Sequence, residues 1–181
     1  MLIERYIRRL LNLADKERSP AFKALALAEG TIGFMVLIPW FLILLGGLVS
    51  ERIPFAWPGW VDTGVGLVAG VSGLSLLAWS VWAQWTIGKG TPNLVSPTSR
   101  LVIKGPYRLC RNPIQLGAML YYLGAGAYFL DTTAGLFAFA VAFVLGFLYN
   151  RCIEEKELRA RFGGDYEEYR KTTSFLFPRI W

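Results

Sequence analysis

Two short clusters hold the residues from which a site for a small charged molecule can be built. The first contains Arg108, Arg111 and Asn112; the second, some 40 residues on, contains Arg151, Glu154 and Glu155. Guanidinium groups grip carboxylate or phosphate oxygens through charge-assisted hydrogen bonds, and carboxylates hold ammonium groups in the same way. Together the clusters offer a cationic and an anionic half, which suits a zwitterion. The same charges also suit ion clusters that merely tie helix ends together, and spacing alone leaves both readings open. The rest of the inventory is restrictive. With no histidine in the chain, a Ser–His triad, an imidazole base and a His-ligated metal are excluded. Cys110 and Cys152 are too few for a zinc cage or a disulfide framework, so no metal site is expected.

The elements that must position these clusters are apolar. Of 181 residues, 54% are hydrophobic and 18% charged, and the charges leave four uncharged stretches, 31–50, 63–88, 112–130 and 132–150. A helix needs about 20 residues to cross the hydrocarbon. The pattern therefore predicts an all-α polytopic membrane protein with four transmembrane helices and a polar tail over 151–181. Six Lys and Arg residues precede the first stretch, five lie between the second and third, and seven follow the fourth; only Arg52 lies elsewhere. The positive-inside rule then predicts both termini in the cytoplasm. It also accounts for the net charge of +6 without nucleic acid as a partner, and no signal peptide is evident.

Only Asp131–Thr133 separate the last two stretches, which predicts a tight antiparallel hairpin. Arg111 stands 20 residues before Asp131 and Glu154 stands 20 after Ala134. At 1.5 Å per residue both lie about 30 Å from the turn, at the same edge. The hairpin thus brings the two clusters together. Ala134, Ala138, Ala142 and Gly146, with Gly66 and Gly70, form small-residue stripes of the kind that let helices pack closely in lipid. Residues 1–29 read as a separate amphipathic segment: Ile3, Ile7, Leu10, Leu11 and Ala14 recur at helical spacing opposite Arg5, Arg8, Arg9 and Asn12,. Docking on the headgroup layer and packing on its own bundle both remain open for it. Ser19-Pro20 reads as an N-cap and first-turn proline, and Pro39 as a kink,.

Gly88-Lys89-Gly90-Thr91-Pro92, Leu101-Val102, Gly105-Pro106-Tyr107-Arg108, Arg111-Asn112-Pro113 and Gly117 are followed, after the fourth stretch, by Glu154-Glu155, Leu158, Phe162-Gly163, Tyr166 and Tyr169. In order and spacing, over residues 60–178, this resembles the integral-membrane methyltransferase family that includes isoprenylcysteine carboxyl methyltransferases and phospholipid N-methyltransferases. The resemblance implies an S-adenosylmethionine site with Arg111, Asn112, Gln115, Gly117, Gly124, Gly126, Glu154 and Glu155 around the cofactor, and Arg151 and Glu155 beside the reacting groups. Two positions depart from the family pattern. Asn112 replaces a histidine, and Gln115 stands where a tyrosine is common. Asparagine still donates and accepts hydrogen bonds but carries no proton at neutral pH. Methyl transfer from a sulfonium to an acceptor that is already nucleophilic rests on holding the two in line in a dry pocket. Histidine is then dispensable. The expectation is an S-adenosylmethionine-dependent methyltransferase acting on a lipid or other apolar acceptor from the bilayer, at its cytoplasmic face. An NADPH-dependent membrane reductase related to sterol reductases and a non-catalytic membrane scaffold are the competing readings.

Overall fold

The computed structural model describes residues 2–14, 19–53, 55–93 and 95–178. Its regular elements are helices, with no strand among the described residues. In chain order they are α1 (Leu2–Ala14), α2 (Pro20–Ile32), a π-helical turn (Gly33–Leu37), α3 (Ile38–Ser50) and α4 (Gly59–Thr86). A 3₁₀ turn (Gly105–Arg108), α5 (Pro113–Phe129), α6 (Thr132–Tyr149), a second π turn (Asn150–Glu154) and α7 (Glu155–Thr172) follow. Among the described residues, three helical stretches are long and apolar enough to cross a membrane: Pro20–Ser50, Gly59–Thr86 and Thr132–Thr172, the last through the apolar residues of α6.

The expected count of four is thereby corrected to three. The stretch 112–130 carries no charge, but it yields only the 17 residues of α5, about 26 Å of helix against roughly 30 Å of hydrocarbon. Its ends are fixed chemically. Pro113 supplies the first-turn proline, and Asp131 Oδ1 accepts the Ala134 N–H at 2.9 Å, capping α6 and closing the hairpin,. At the other predicted start, Ser19 Oγ accepts the Phe22 N–H at 3.2 Å, as the Ser-Pro pair leads one to expect.

The chain divides into two compact units. The apolar unit comprises Ile32–Ala78 and Ile114–Gly146, with Leu42, Leu77, Ala118, Tyr122 and Ala138 at its centre. Its helices approach by backbone. A methyl placed on Gly126 would lie 2.5 Å from Gly135 Cα, and one on Gly46 would lie 2.7 Å from the Ala134 carbonyl oxygen. Pro39 explains the first π turn. The Ile38 N–H bonds to the Gly33 carbonyl, five residues back, and the next residue has no N–H to offer. The carbonyls of Phe34 and Met35, beside this turn, take hydroxyl donors from α5. The Tyr122 hydroxyl donates to the first at 2.6 Å and the Tyr121 hydroxyl to the second at 2.9 Å.

The basic unit comprises Met1–Thr31, Trp79–Pro113 and Phe147–Trp181, and it contains every Lys and Arg except Arg52. Its core is Ala83, Val102, Tyr107, Tyr166 and Tyr169. Here α1 packs against α7. The side chains of Ile3, Ile7, Arg9, Leu10 and Ala14 lie outside the described residues. Gly105 adopts φ +64°, and the path of a side chain there would run toward the Trp79 indole. A second positive φ, +52° at Gly163, breaks α7 after Phe162, a conformation glycine adopts without steric cost.

Candidate functional site

The second π turn sets the first half of the site. The Glu155 N–H reaches back to the Asn150 carbonyl, so one extra residue is accommodated before α7. Wide turns of this kind re-aim the side chains that follow them and recur at functional positions. Glu155 and Glu157 are both buried as a result. The other half is the irregular segment 105–112. Tyr169 donates its hydroxyl to the Tyr107 carbonyl at 2.6 Å, and the Arg111 N–H donates to the Ser174 carbonyl at 2.9 Å.

These supports place Arg111 Nη2 3.0 Å from Glu155 Oε1, with the side chains 8% and 6% exposed. Arg151 Nη1 donates to Glu155 Oε2 at 2.7 Å from a side chain that is 53% exposed. The hairpin argument is thus met: residues 44 apart form one buried ion pair. A second pair lies on α7, where Arg161 Nη1 donates to Glu157 Oε1 at 2.6 Å, and both side chains are again almost fully buried.

All of these except Arg151 line one recess of about 900 Å³, its open mouth included, together with Gln84, Tyr107 and Tyr149. Several buried atoms in it form no hydrogen bond among the described residues: Nε and Nη1 of Arg111, Nη2 of Arg161, Oε1 of Glu155 and Oε1 of Gln84. Buried polar atoms of this kind are normally satisfied. Five share this recess, and of them Glu155 Oε1 also carries the 3.0 Å ion pair to Arg111 Nη2.

Glu154 faces the same recess, half-buried, with no ion pair or hydrogen bond among the described residues. It lies beyond the apolar residues of α6. Burial, then the neighbouring Glu157 carboxylate, push its carboxyl up to about 7, against the opposing pull of Arg161. Burial also raises the Tyr107 hydroxyl, although the Gln84 Nε2–H, donated at 2.7 Å, opposes the shift. The Cys110 thiol is pushed by burial up to about 11, so it is held protonated at neutral pH.

The remaining expected site residues are placed differently. Asn112 lines the recess, but its amide Nδ2–H donates to the Phe175 carbonyl at 2.8 Å, fastening the segment after α7. Gln115 lies in the apolar unit, where its amide reaches the Phe143 carbonyl at 3.4 Å. Gly117, Gly124 and Gly126 belong to that unit too. The space a Cβ would need at each is taken by Leu77, by the backbone of Gly70 and by Gly135, respectively. Sequence reasoning missed Gln84 and the Glu157–Arg161 pair. The pair was available as an i, i+4 spacing; Gln84 gave no signal.

A profile of the phospholipid methyltransferase family matches residues 63–165, more than half of the chain. The chain is 35% identical over 75 residues to methanethiol S-methyltransferase 2 of Bradyrhizobium diazoefficiens, covering 41% of this chain and 27% of that protein. It is 35% identical over 80 residues to the cobalt-zinc-cadmium resistance protein CzcN of Cupriavidus metallidurans, covering 44% of this chain and 36% of that one. Both matches therefore span well under half of the relatives' own lengths. No solved structure matches.

Proposed function

The chain belongs to the phospholipid methyltransferase family, and from that premise we propose that it transfers a methyl group from S-adenosylmethionine to a lipid or other apolar acceptor. The observation that carries the proposal is the set of unsatisfied buried atoms around Arg111 and Glu155. The cofactor would supply an electrophilic methyl group on a sulfonium. Its amino-acid end is a zwitterion, and the residues fit that end: Arg111 Nε and Nη1 would bind a carboxylate, and the Glu155 carboxylate, beside its pair to Arg111 Nη2, would receive an ammonium,. Arg151 holds Glu155 from the opposite oxygen and fixes its orientation. Tyr107, Tyr166 and Tyr169 wall the recess and keep it poor in water, which strengthens each charged contact.

The concentration of basic residues in one unit supports a cytoplasmic position for the site, by the positive-inside rule. The long apolar helices support entry of the acceptor from the membrane. The methanethiol S-methyltransferase relative favours including sulfur acceptors beside lipids.

Calorimetric titration of S-adenosylmethionine, S-adenosylhomocysteine and NADPH into detergent-purified protein tests the reading. Both sulfur cofactors should bind, with affinity reduced at least tenfold in Glu155→Gln. The exposed Arg151→Ala change, which leaves the buried pair in place, should reduce it less. NADPH binding alone would move the protein to the reductases. Binding of none of them by folded protein would overturn the proposal and favour the scaffold.

A further inference from the structure

The reaction needs more than a cofactor cradle if its acceptor arrives carrying a proton, as a thiol does. The groups available to take that proton are few. Glu155 is held by two arginines, at 3.0 and 2.7 Å, and Glu157 is held by Arg161 at 2.6 Å. An ion-paired carboxylate is a poor base, because the partner cation stabilises the unprotonated form. Asn112 cannot take a proton, and its amide is engaged with the Phe175 carbonyl. Glu154 is the carboxylate of the recess left without an ion pair or hydrogen bond among the described residues.

We propose that Glu154 is the general base of the reaction and that the acceptor class it serves is the protonated thiol. The proposal rests on the methyltransferase reading above and deepens it. The acceptor S–H bond breaks and its proton passes to a Glu154 oxygen. The sulfur lone pair so freed forms the new S–CH₃ bond, and the electron pair of the old C–S bond remains on the departing sulfur. The sulfonium charge and the thiolate charge cancel, so only the proton on Glu154 has to be returned to solvent.

The surroundings of Glu154 suit this work. Glu155, Glu157, Arg161 and Tyr166 face it from α7, Tyr149 from the end of α6, and Tyr107 from the 3₁₀ turn. Tyr149 is in turn hydrogen-bonded to Tyr6 of α1. Burial first, then two carboxylates against one nearby guanidinium, bring the carboxyl to about 7. A base whose proton affinity matches the working pH is the efficient kind.

The test compares wild type with Glu154→Gln and Glu154→Asp on S-adenosylmethionine with two probes. An alkanethiol is protonated at pH 7 and thiophenol is largely ionised. Glu154→Gln should still bind S-adenosylhomocysteine, and its rates are compared with wild type at saturating cofactor. It should lose about 10²-fold or more in kcat/KM toward the alkanethiol, with the loss toward thiophenol at least tenfold smaller. Glu154→Asp should recover part of the alkanethiol rate. The wild-type alkanethiol profile should rise through about pH 7, and that limb should be missing in Glu154→Gln. Equal losses on both thiols, or no loss on either, would overturn the proposal. So would failure of folded, cofactor-binding wild type to methylate any thiol, which leaves the cofactor site standing. Failure to bind the cofactor at all would overturn the methyltransferase reading itself.

Discussion

Adjacent in sequence, Glu154 and Glu155 are given opposite environments by one wide turn. Glu155 sits between two guanidinium groups, so removing either arm exposes the asymmetry of those arms. Arg111→Ala takes away the buried partner and leaves an under-compensated charge, which should cost about 3–5 kcal/mol. Arg151→Ala removes a half-exposed arm and should cost about 1 kcal/mol or less. Thermal unfolding in detergent distinguishes them. Glu154 carries the reverse sign. Its carboxyl is raised in the fold to about 7 from the ordinary 4.5, so its contribution to stability is full below about pH 4.5 and is lost as pH rises through 7. Glu154→Gln should therefore raise the melting temperature relative to wild type at pH 8, with little difference at pH 4. The sequence identified the pair through its motif and its distance from the hairpin turn. It could not divide the roles, because neighbours on a regular helix give no hint of an extra residue in the turn before them.

Helices here are shaped by answers to missing donors. Pro39 was legible as a kink, but the form of the kink was not, since the hydroxyls that satisfy Phe34 and Met35 come from Tyr122 and Tyr121, 88 and 86 residues away. Tyr122→Phe should cost about 1 kcal/mol, the net worth of a part-buried hydrogen bond,. Restoring an N–H with Pro39→Ala should shrink that loss, and a double-mutant cycle of the two changes measures the coupling. The third stretch teaches a related lesson. Absence of charge from 112 to 130 suggested a crossing, whereas the caps at Pro113 and Asp131 decide how long the helix is. Close packing of α6 and α4 was readable from their small residues, yet whether Gly124 and Gly126 of α5 face a ligand or a helix was not. Gly126→Ala should cost about 1–3 kcal/mol by overpacking against Gly135, without the pH signature expected of Glu154.

Across the whole molecule, chemistry and span are kept apart along the chain. The apolar unit holds three acidic residues, Glu51, Asp62 and Asp131, and a single basic one, Arg52. Two of its carboxylates are structural: Asp62 accepts from the Thr132 backbone and hydroxyl at 2.8 and 2.6 Å, and Asp131 accepts from Ser50 Oγ at 2.6 Å. Substituting Asp62 by Ala should lower the melting temperature while leaving S-adenosylhomocysteine affinity within a few-fold of wild type. This division was the most legible property of the sequence, because charge and hydropathy decide where a segment can sit before any packing is known. The details of the recess were the least legible, since they depend on loop residues such as Gln84 whose type suggests nothing by itself.

The carbonyls of Ser174 and Phe175 hold the backbone of Arg111 and the side chain of Asn112, and the Arg111 guanidinium lies 5.7 Å over the Phe175 ring. A ribosome makes these late residues after every helix named above. While synthesis is in progress, the helices flanking Arg111 and Glu155 can already be inserted with these two carbonyl supports still unmade. The nascent protein is then inserted before Arg111 is held, and the segment after α7 is what holds it. A premature stop just after Thr173 should therefore behave as a null allele, even though it removes none of the charged residues of the site.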